Sequence, residues 1–478
     1  MKNFMRSMYL TALAAISLVN PFFLLGQSAL VPPKVTVGRN LEAPAKIKLD
    51  EPAPDEGLMI TLRSANPDLL RISTSAEKLG TASLVVRARP GNGESQEFWL
   101  QSLGSSGTVT YTAEAPGRGT GTGTVTLAPS GILITGPYQV PKFPTTTGAV
   151  PPKIRLLAAR LDSSLKFSEQ QAVAGGLSLE VTNSNPSAGR LADSPIVIRA
   201  GEGSATTQFN PGREGDVTFT IKVAPGFSTP AEFATLTASV RKPGIVVSDD
   251  QSIGHNLQVG GVLALGELAP AGGLTVTLTS SDPSRLLLSA SQTEPGSESV
   301  QIKIPAEGIN AVYFLQALGS SGEVEYTATA PGFRSRTGVV KLTPSGITLT
   351  PYFQGPPDEA QVLKQQTSDG SHGFTMKESE KSPMKLIAWT AQLDAQTHRS
   401  ADITVQPLRA GMSVTIPLTN SNPAVGTIAS QVTIDGGSDH GSVDFVPVSA
   451  GQTEISVVTP KDFTVSANST RVTGTVSK

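Results

Sequence analysis

At 478 residues the chain is about three times the length of one ordinary domain, so several separate cores are expected. Charged residues make up 16% and the net charge is −2, which excludes a disordered polyelectrolyte and a broad cationic surface for nucleic-acid phosphates. There is no cysteine, so disulfides and thiolate chemistry are excluded, while 47 glycines and 36 prolines fit many short strands joined by tight turns.

Residues 1–28 have the pattern of a signal peptide. Lys2 and Arg6 precede an apolar run from Met8 to Leu25, and the small residues Gly26, Ser28 and Ala29 follow it. The run approaches bilayer-spanning length, but Asn20-Pro21 interrupts it, and no later segment could span a membrane. Without the two leading cations the chain has 35 basic and 39 acidic residues, a net −4. It is expected to be secreted, to the extracellular space, the cell surface or the periplasm. A lipid anchor would need a cysteine after the signal, and none is present.

Residues 33–136 are expected to form a first domain, A1. Leu58, Ile60 and Leu62 alternate with Met59, Thr61 and Arg63, the period of a strand with one wet face, and Asn66-Pro67 ends it. Phe98-Trp99-Leu100-Gln101 reads as a second strand, and Val109, Tyr111 and Ala113, alternating with threonines, as a third that Ala115-Pro116-Gly117 breaks. Residues 137–152 are proline-rich and are expected to be a stiff, extended spacer. A second domain, B1, is expected over 153–241, with Gly176-Leu177-Ser178-Leu179 opening one strand and Val217, Phe219 and Ile221 marking another.

From Arg241 the chain runs straight into a third domain, A2, over 244–350, in which Leu274, Val276 and Leu278 alternate with threonines and Tyr313-Phe314-Leu315-Gln316 matches the earlier aromatic strand. Residues 351–384 are polar and read as a flexible tether, and 385–478 complete a fourth domain, B2.

The chain repeats itself in blocks. Leu100 to Gly117 and Leu315 to Gly332 agree at 14 of 18 positions, and Lys153 to Asp162 matches Lys385 to Asp394. The order A-B-A-B implies that a two-domain unit was duplicated whole, so an inter-domain contact could have been copied with it. Short alternating strands without helical periodicity make the expected fold all-β, four tandem β-sandwich domains.

The Gly-Leu-x-Val-x-Leu strand ending in Asn/Asp-Pro and the Ser-Gly-x-Val-x-Tyr-x-Ala-x-Ala-Pro-Gly strand resemble those of the tandem bacterial immunoglobulin-like domains of secreted and surface proteins. That resemblance implies an immunoglobulin-like fold and service as spacers, adhesins or accessory modules, and it names no ligand. The antibody pattern of paired cysteines around a buried tryptophan is absent, as are a cell-wall sorting motif and a C-terminal anchor.

Candidate chemistry is sparse. His255 corresponds to Arg39 and His398 to Lys166, while His372 falls in the tether and His440 in a loop, so no histidine recurs in its duplicate as a triad or metal site would. Gly117 to Gly123 looks like a phosphate loop but lies between strands, and a phosphate cradle needs a helix N-terminus. Gly104-Ser-Ser-Gly107 marks a hairpin or bulge. Asp249 with Asp250, and Asp435, Asp439 and Asp444, do not recur either. No catalytic residue, cofactor or metal is expected. The contact residues expected are Trp99 and Phe314: neighbours on a strand point to opposite faces, so with Phe98 and Leu100 inside and glutamine outside, Trp99 and Phe314 project from the sheet, whereas a bulge would turn both aromatics inward. The function expected is a non-enzymatic structural or adhesive scaffold with a protein or glycan ligand, or else a carbohydrate-binding accessory protein.

Overall fold

The computed structural model describes residues 29–352, 372–380, 382–400 and 404–478; the expected signal peptide lies outside them. The described chain is nearly all β, with no α-helix and one short 3-10 turn at Pro137–Gln139. It divides into two compact units, the first made of Met1–Phe143, Pro151–Asn210 and Asp216–Ser239, the second of Pro144–Val150, Pro211–Gly215 and Val240–Lys478.

In the first unit, Leu58–Ser64 buries Leu58, Ile60, Leu62 and Ser64 and exposes Met59 and Arg63, as its alternation requires. It lies between Ser83–Ala88 and Thr108–Glu114 in a five-stranded sheet whose other edge is Lys34–Gly38, paired in parallel with Gly121–Ala128. The facing sheet has the order Ala172–Val173, Leu41–Ala45, Phe98–Ser102, Leu70–Ser73. Phe98 meets Tyr111 edge-on at 6.2 Å and ties the two layers together. The B-type stretch repeats the plan. Ser130–Thr135, Lys153–Leu161, Ser204–Pro211 and Gly189–Leu191 form one sheet, and Lys142–Thr146, Thr235–Arg241, Gly215–Ile221 and Val181–Asn183 the other, with Phe209 against Phe219 at 5.6 Å.

The second unit contains the corresponding pairs. Tyr313 and Tyr326, 5.8 Å apart, join the layers of its A-type part, and Phe374 and Phe445, 5.2 Å apart, those of its B-type part. Its buried core runs without a break from Ile245 to Val476.

Two stretches expected as connectors carry strands. Lys142–Thr146 lies in the proline-rich segment, and His372–Lys377, paired in parallel with Arg471–Ser477, lies in the polar one; residues 353–371 of that stretch are outside the described residues. Each strand delivers one phenylalanine to a core, Phe143 at 6.0 Å from Phe209 and Phe374 against Phe445, and that burial outweighs the polar composition around it. Moreover, Ser130–Thr135 and Ser345–Pro351, read from sequence as the ends of the A domains, pair along their length with Lys153–Leu161 and Met384–Gln392 of the B sheets. Pro129 and Pro344 cannot donate to a ladder, so the A sheet stops there and the next residue already belongs to the B sheet. The described strands at either end of this stretch, Ser345–Pro351 and His372–Lys377, thus both pair within the B-type part.

Candidate binding surfaces and the repeated joint

The aromatic pairs fall as strand alternation dictates. Phe98, Leu100, Tyr313 and Leu315 are fully buried, while Trp99 and Phe314 are half-buried on the opposite face. Trp99 is flanked across the sheet by Pro44 and Ser73, and Phe314 by Gly260 and Ser289. Small neighbours leave both rings accessible from one side.

Gln101 and Gln316, expected to face solvent, are instead 1% and 0% exposed. They share a face with Trp99 and Phe314, but loop and strand residues close over them locally and every polar atom of each amide is paired, which is what permits the burial. The Gln101 amide donates to Glu42 Oε2 and to the Lys78 carbonyl, both at 2.8 Å, and its oxygen accepts the Gly80 N–H at 2.7 Å. Gln316 does the same with Gln258 Oε1, the Glu294 carbonyl and the Gly296 N–H. Recurrence of the glutamine in both copies was the sequence signal for this role, although polarity alone pointed outward.

Beside each buried glutamine lies a joint between A-type and B-type strands, built twice. In the first unit the Gln171 amide donates to the Thr36 carbonyl at 2.8 Å and accepts the Gly38 N–H at 2.9 Å. In the second, Gln406 does so with Ser252 and Gly254 at the same distances. Ala172 and Val173 pair with Glu42 and Leu41, and Leu408 bridges to Leu257. Ser130 and Ser345 donate their hydroxyls to the carbonyls of Arg39 and His255. Gly38 and Gly254 sit where the backbones come closest: a Cβ there would stand 3.3 Å from the Cα of Arg160 or Gln392. A contact was therefore copied with the duplicated block. Gln171 and Gln406 escaped sequence reasoning because they lie outside the well-matched strings.

The two joints differ in the polar group that meets the buried glutamine. Where the second unit has Gln258, donating to the Gln292 carbonyl at 2.8 Å, the first has Glu42, 2% exposed, whose Oε1 has no hydrogen-bond partner. Burial pushes the Glu42 carboxyl up to about 7, opposed by the smaller downward pull of the Gln101 amide.

Among the other sequence candidates, Asp249 accepts the Val339 N–H at 2.7 Å and pairs with Arg336 at 3.0 Å; the Val339 bond is the main reason its carboxyl lies below the usual range. Asp435 takes the Ser413 hydroxyl, Asp439 pairs with His440 and Asp444 with Lys385, so the three carboxylates serve separate partners. Among the described residues no three His, Asp or Glu side chains gather closely enough to hold a metal. No helix of the described residues is long and apolar enough to cross a membrane. Gly117, at φ +74°, is the third residue of a turn closed by the Arg118 N–H on the Ala115 carbonyl, ahead of the strand Gly121–Ala128. One aromatic grouping went unnoticed in the sequence because strand pairing assembles it: Trp389 stands opposite His440, ring centres 4.8 Å apart, with its indole N–H on Thr350 Oγ1.

The chain matches no protein-family model and no curated protein sequence. Solved structures with similar segments include Escherichia coli alpha-2-macroglobulin activated by porcine elastase, at 10% identity and a TM-score of 0.17 over 94% of this chain and 44% of that one. Another is a beta-glycosidase from Bacteroides vulgatus, at 11% identity and a TM-score of 0.17 over 45% of this chain and 25% of that one. This chain spans under half the length of either. The all-β architecture of paired, layered sheets accordingly rests on the strand pairings of the chain itself.

Proposed function

We propose that the chain is a non-enzymatic scaffold that works outside the cytoplasm: four immunoglobulin-like sandwiches in A-B-A-B order, acting as spacer and as a presenter of binding surface. The observation that carries this reading is the joint made twice by Gln171 and Gln406. A contact kept in both copies of a duplicated block serves to fix one module against the next, as a spacer requires. The strand that passes from A-type to B-type sheet through one proline acts in the same sense, since it leaves no loose linker at that point.

Pulling on single molecules of the full chain tests the count and the mechanical role together. Four unfolding events are expected, each releasing roughly 300–350 Å of chain for a module of about 95 residues. Two events of twice that length would replace the four-module scheme with two. Cell fractionation tests the location: the mature protein is expected outside the cytoplasm with its N-terminus near Ala29.

A second reading, carbohydrate binding, is favoured by the half-buried rings of Trp99 and Phe314 among small neighbours, a setting in which a sugar ring can stack. A glycan array probed with wild type and Trp99→Ala separates it from the first, because loss of a specific signal in the variant requires a sugar contact at that ring.

A further inference from the structure

The four equivalent strands differ in how far a second neighbour covers them. Leu58–Ser64 is covered by Ser83–Ala88 along six positions, and Leu274–Ser280 by Ser299–Ile304 along six. Ser413–Asn420 is covered by Gln431–Asp435 from Ser413 to Pro417, and the Leu418 N–H bond to the Ser430 carbonyl carries the cover one residue further. In the first B-type stretch the covering strand shrinks to Ile196–Ile198, which pairs only with Leu177–Leu179. The cause is Pro195, which cannot donate to a ladder and constrains Ser194 before it. Val181–Asn183 is left as the edge of its sheet, bonded to Gly215–Ile221 on one side. The Lys222 N–H bonds the Glu180 carbonyl and the Ser184 N–H bonds the Thr218 carbonyl, so the backbone groups of Val181 and Asn183 point the other way, to the open side.

Beside that edge lies a cleft of about 310 Å³, between Val181 and Asn183 on one sheet and Arg190 and Leu191 on the edge strand Gly189–Leu191 of the other, with Phe219 as its floor. Leu191, Phe219 and Val181 make it apolar. Arg190 at its rim is exposed and takes part in none of the ion pairs found among the described residues.

We infer that this open side of the sandwich is a docking site for an extended peptide segment of a partner protein, which adds a strand to Val181–Asn183, places one apolar side chain in the cleft and pairs an acidic group with Arg190. Unpaired ladder groups supply affinity for any extended backbone, the cleft selects an apolar side chain at alternate positions, and the guanidinium selects a carboxylate. The inference goes beyond the scaffold reading and does not depend on the number of modules.

The test uses the full chain and a fluorescent synthetic peptide of alternating threonine and valine ending in aspartate. Saturable anisotropy change is expected, with slowed amide exchange at Val181 and Asn183. Binding should vanish when alternate peptide nitrogens are methylated, and should weaken about tenfold in Arg190→Glu or when asparagine replaces the aspartate. Arg190 is exposed, so the variant is expected to fold, and an unchanged melting curve checks that. No binding at about 1 mM peptide, or binding indifferent to Arg190→Glu and to backbone methylation, overturns the inference. Edge-to-edge dimerisation of the chain, seen by sedimentation and slowing the same two amides without peptide, overturns it in favour of self-association.

Discussion

Replacing Glu42 by glutamine converts the first joint into the chemistry of the second. At high pH the wild-type side chain must be ionised in a site where it is 2% exposed, has no cation bonded to it, and leaves Oε1 without a donor. The charged residues on the elements around it are Arg71 on the strand beyond Gln101, Glu77 and Lys78 in the following loop, and Arg199 ion-paired with Glu202; none makes an ion pair with Glu42. Its carboxyl is raised from 4.5 to about 7. Below about pH 4.5 the folded and unfolded chains both hold the proton and no penalty arises. Between 4.5 and 7 the unfolded chain ionises while the folded one keeps its proton, so stability falls as pH rises; above 7 the loss is complete. At about 1.4 kcal/mol per pKa unit the full effect is roughly 3 kcal/mol. Glu42→Gln cannot ionise, and its amide can donate to the carbonyl of Ala76, the counterpart of Gln292 in the second copy. Denaturant unfolding of the first unit at pH 4 and pH 8, followed by Trp99 fluorescence, is the assay. The variant should match wild type at pH 4 and exceed it by about 2–3 kcal/mol at pH 8. Parallel pH profiles for the two proteins, or a variant less stable at pH 8, would refute the reasoning.

Trp99→Ala is expected to cost about 1–2 kcal/mol because only part of the ring is covered, against about 3–5 kcal/mol for Phe98→Ala in the core, both read from urea midpoints. Gln171→Ala removes two hydrogen bonds and strands the Gly38 N–H, so it should destabilise by about 2–3 kcal/mol; Gln406→Ala should do the same in the second unit, and a cost under 0.5 kcal/mol at both would deny the joint its proposed role. Backbone cleavage engineered between residues 353 and 371 should leave the fragments associated on gel filtration and separable in detergent, because Ser345–Pro351 stays paired with Met384–Gln392; dissociation without denaturant would contradict that pairing.

Local chemistry determined a good deal by itself. A one-sided strand must alternate, so Leu58–Ser64, Thr108–Glu114 and their counterparts were legible, as was the outward set of Trp99 and Phe314, and the repeat raised the expectation that a contact between A and B could have been copied. Only the tertiary structure decided where one sheet ends and the next begins. Ser130–Thr135 is buried at all six positions and carries no alternation from which its partner could be read. The proline-rich and polar stretches hid their strands because a single buried phenylalanine, Phe143 or Phe374, outweighs composition only once a second sheet is there to cover it. Gln101 and Gln316 were misplaced for the same reason: glutamine prefers water unless every lone pair and N–H finds a partner, and the partners at Gly80, Lys78 and Glu42 lie 21 to 59 residues away along the chain. Side-chain polarity is a property of one residue, whereas the burial of a polar group depends on several brought together by the fold.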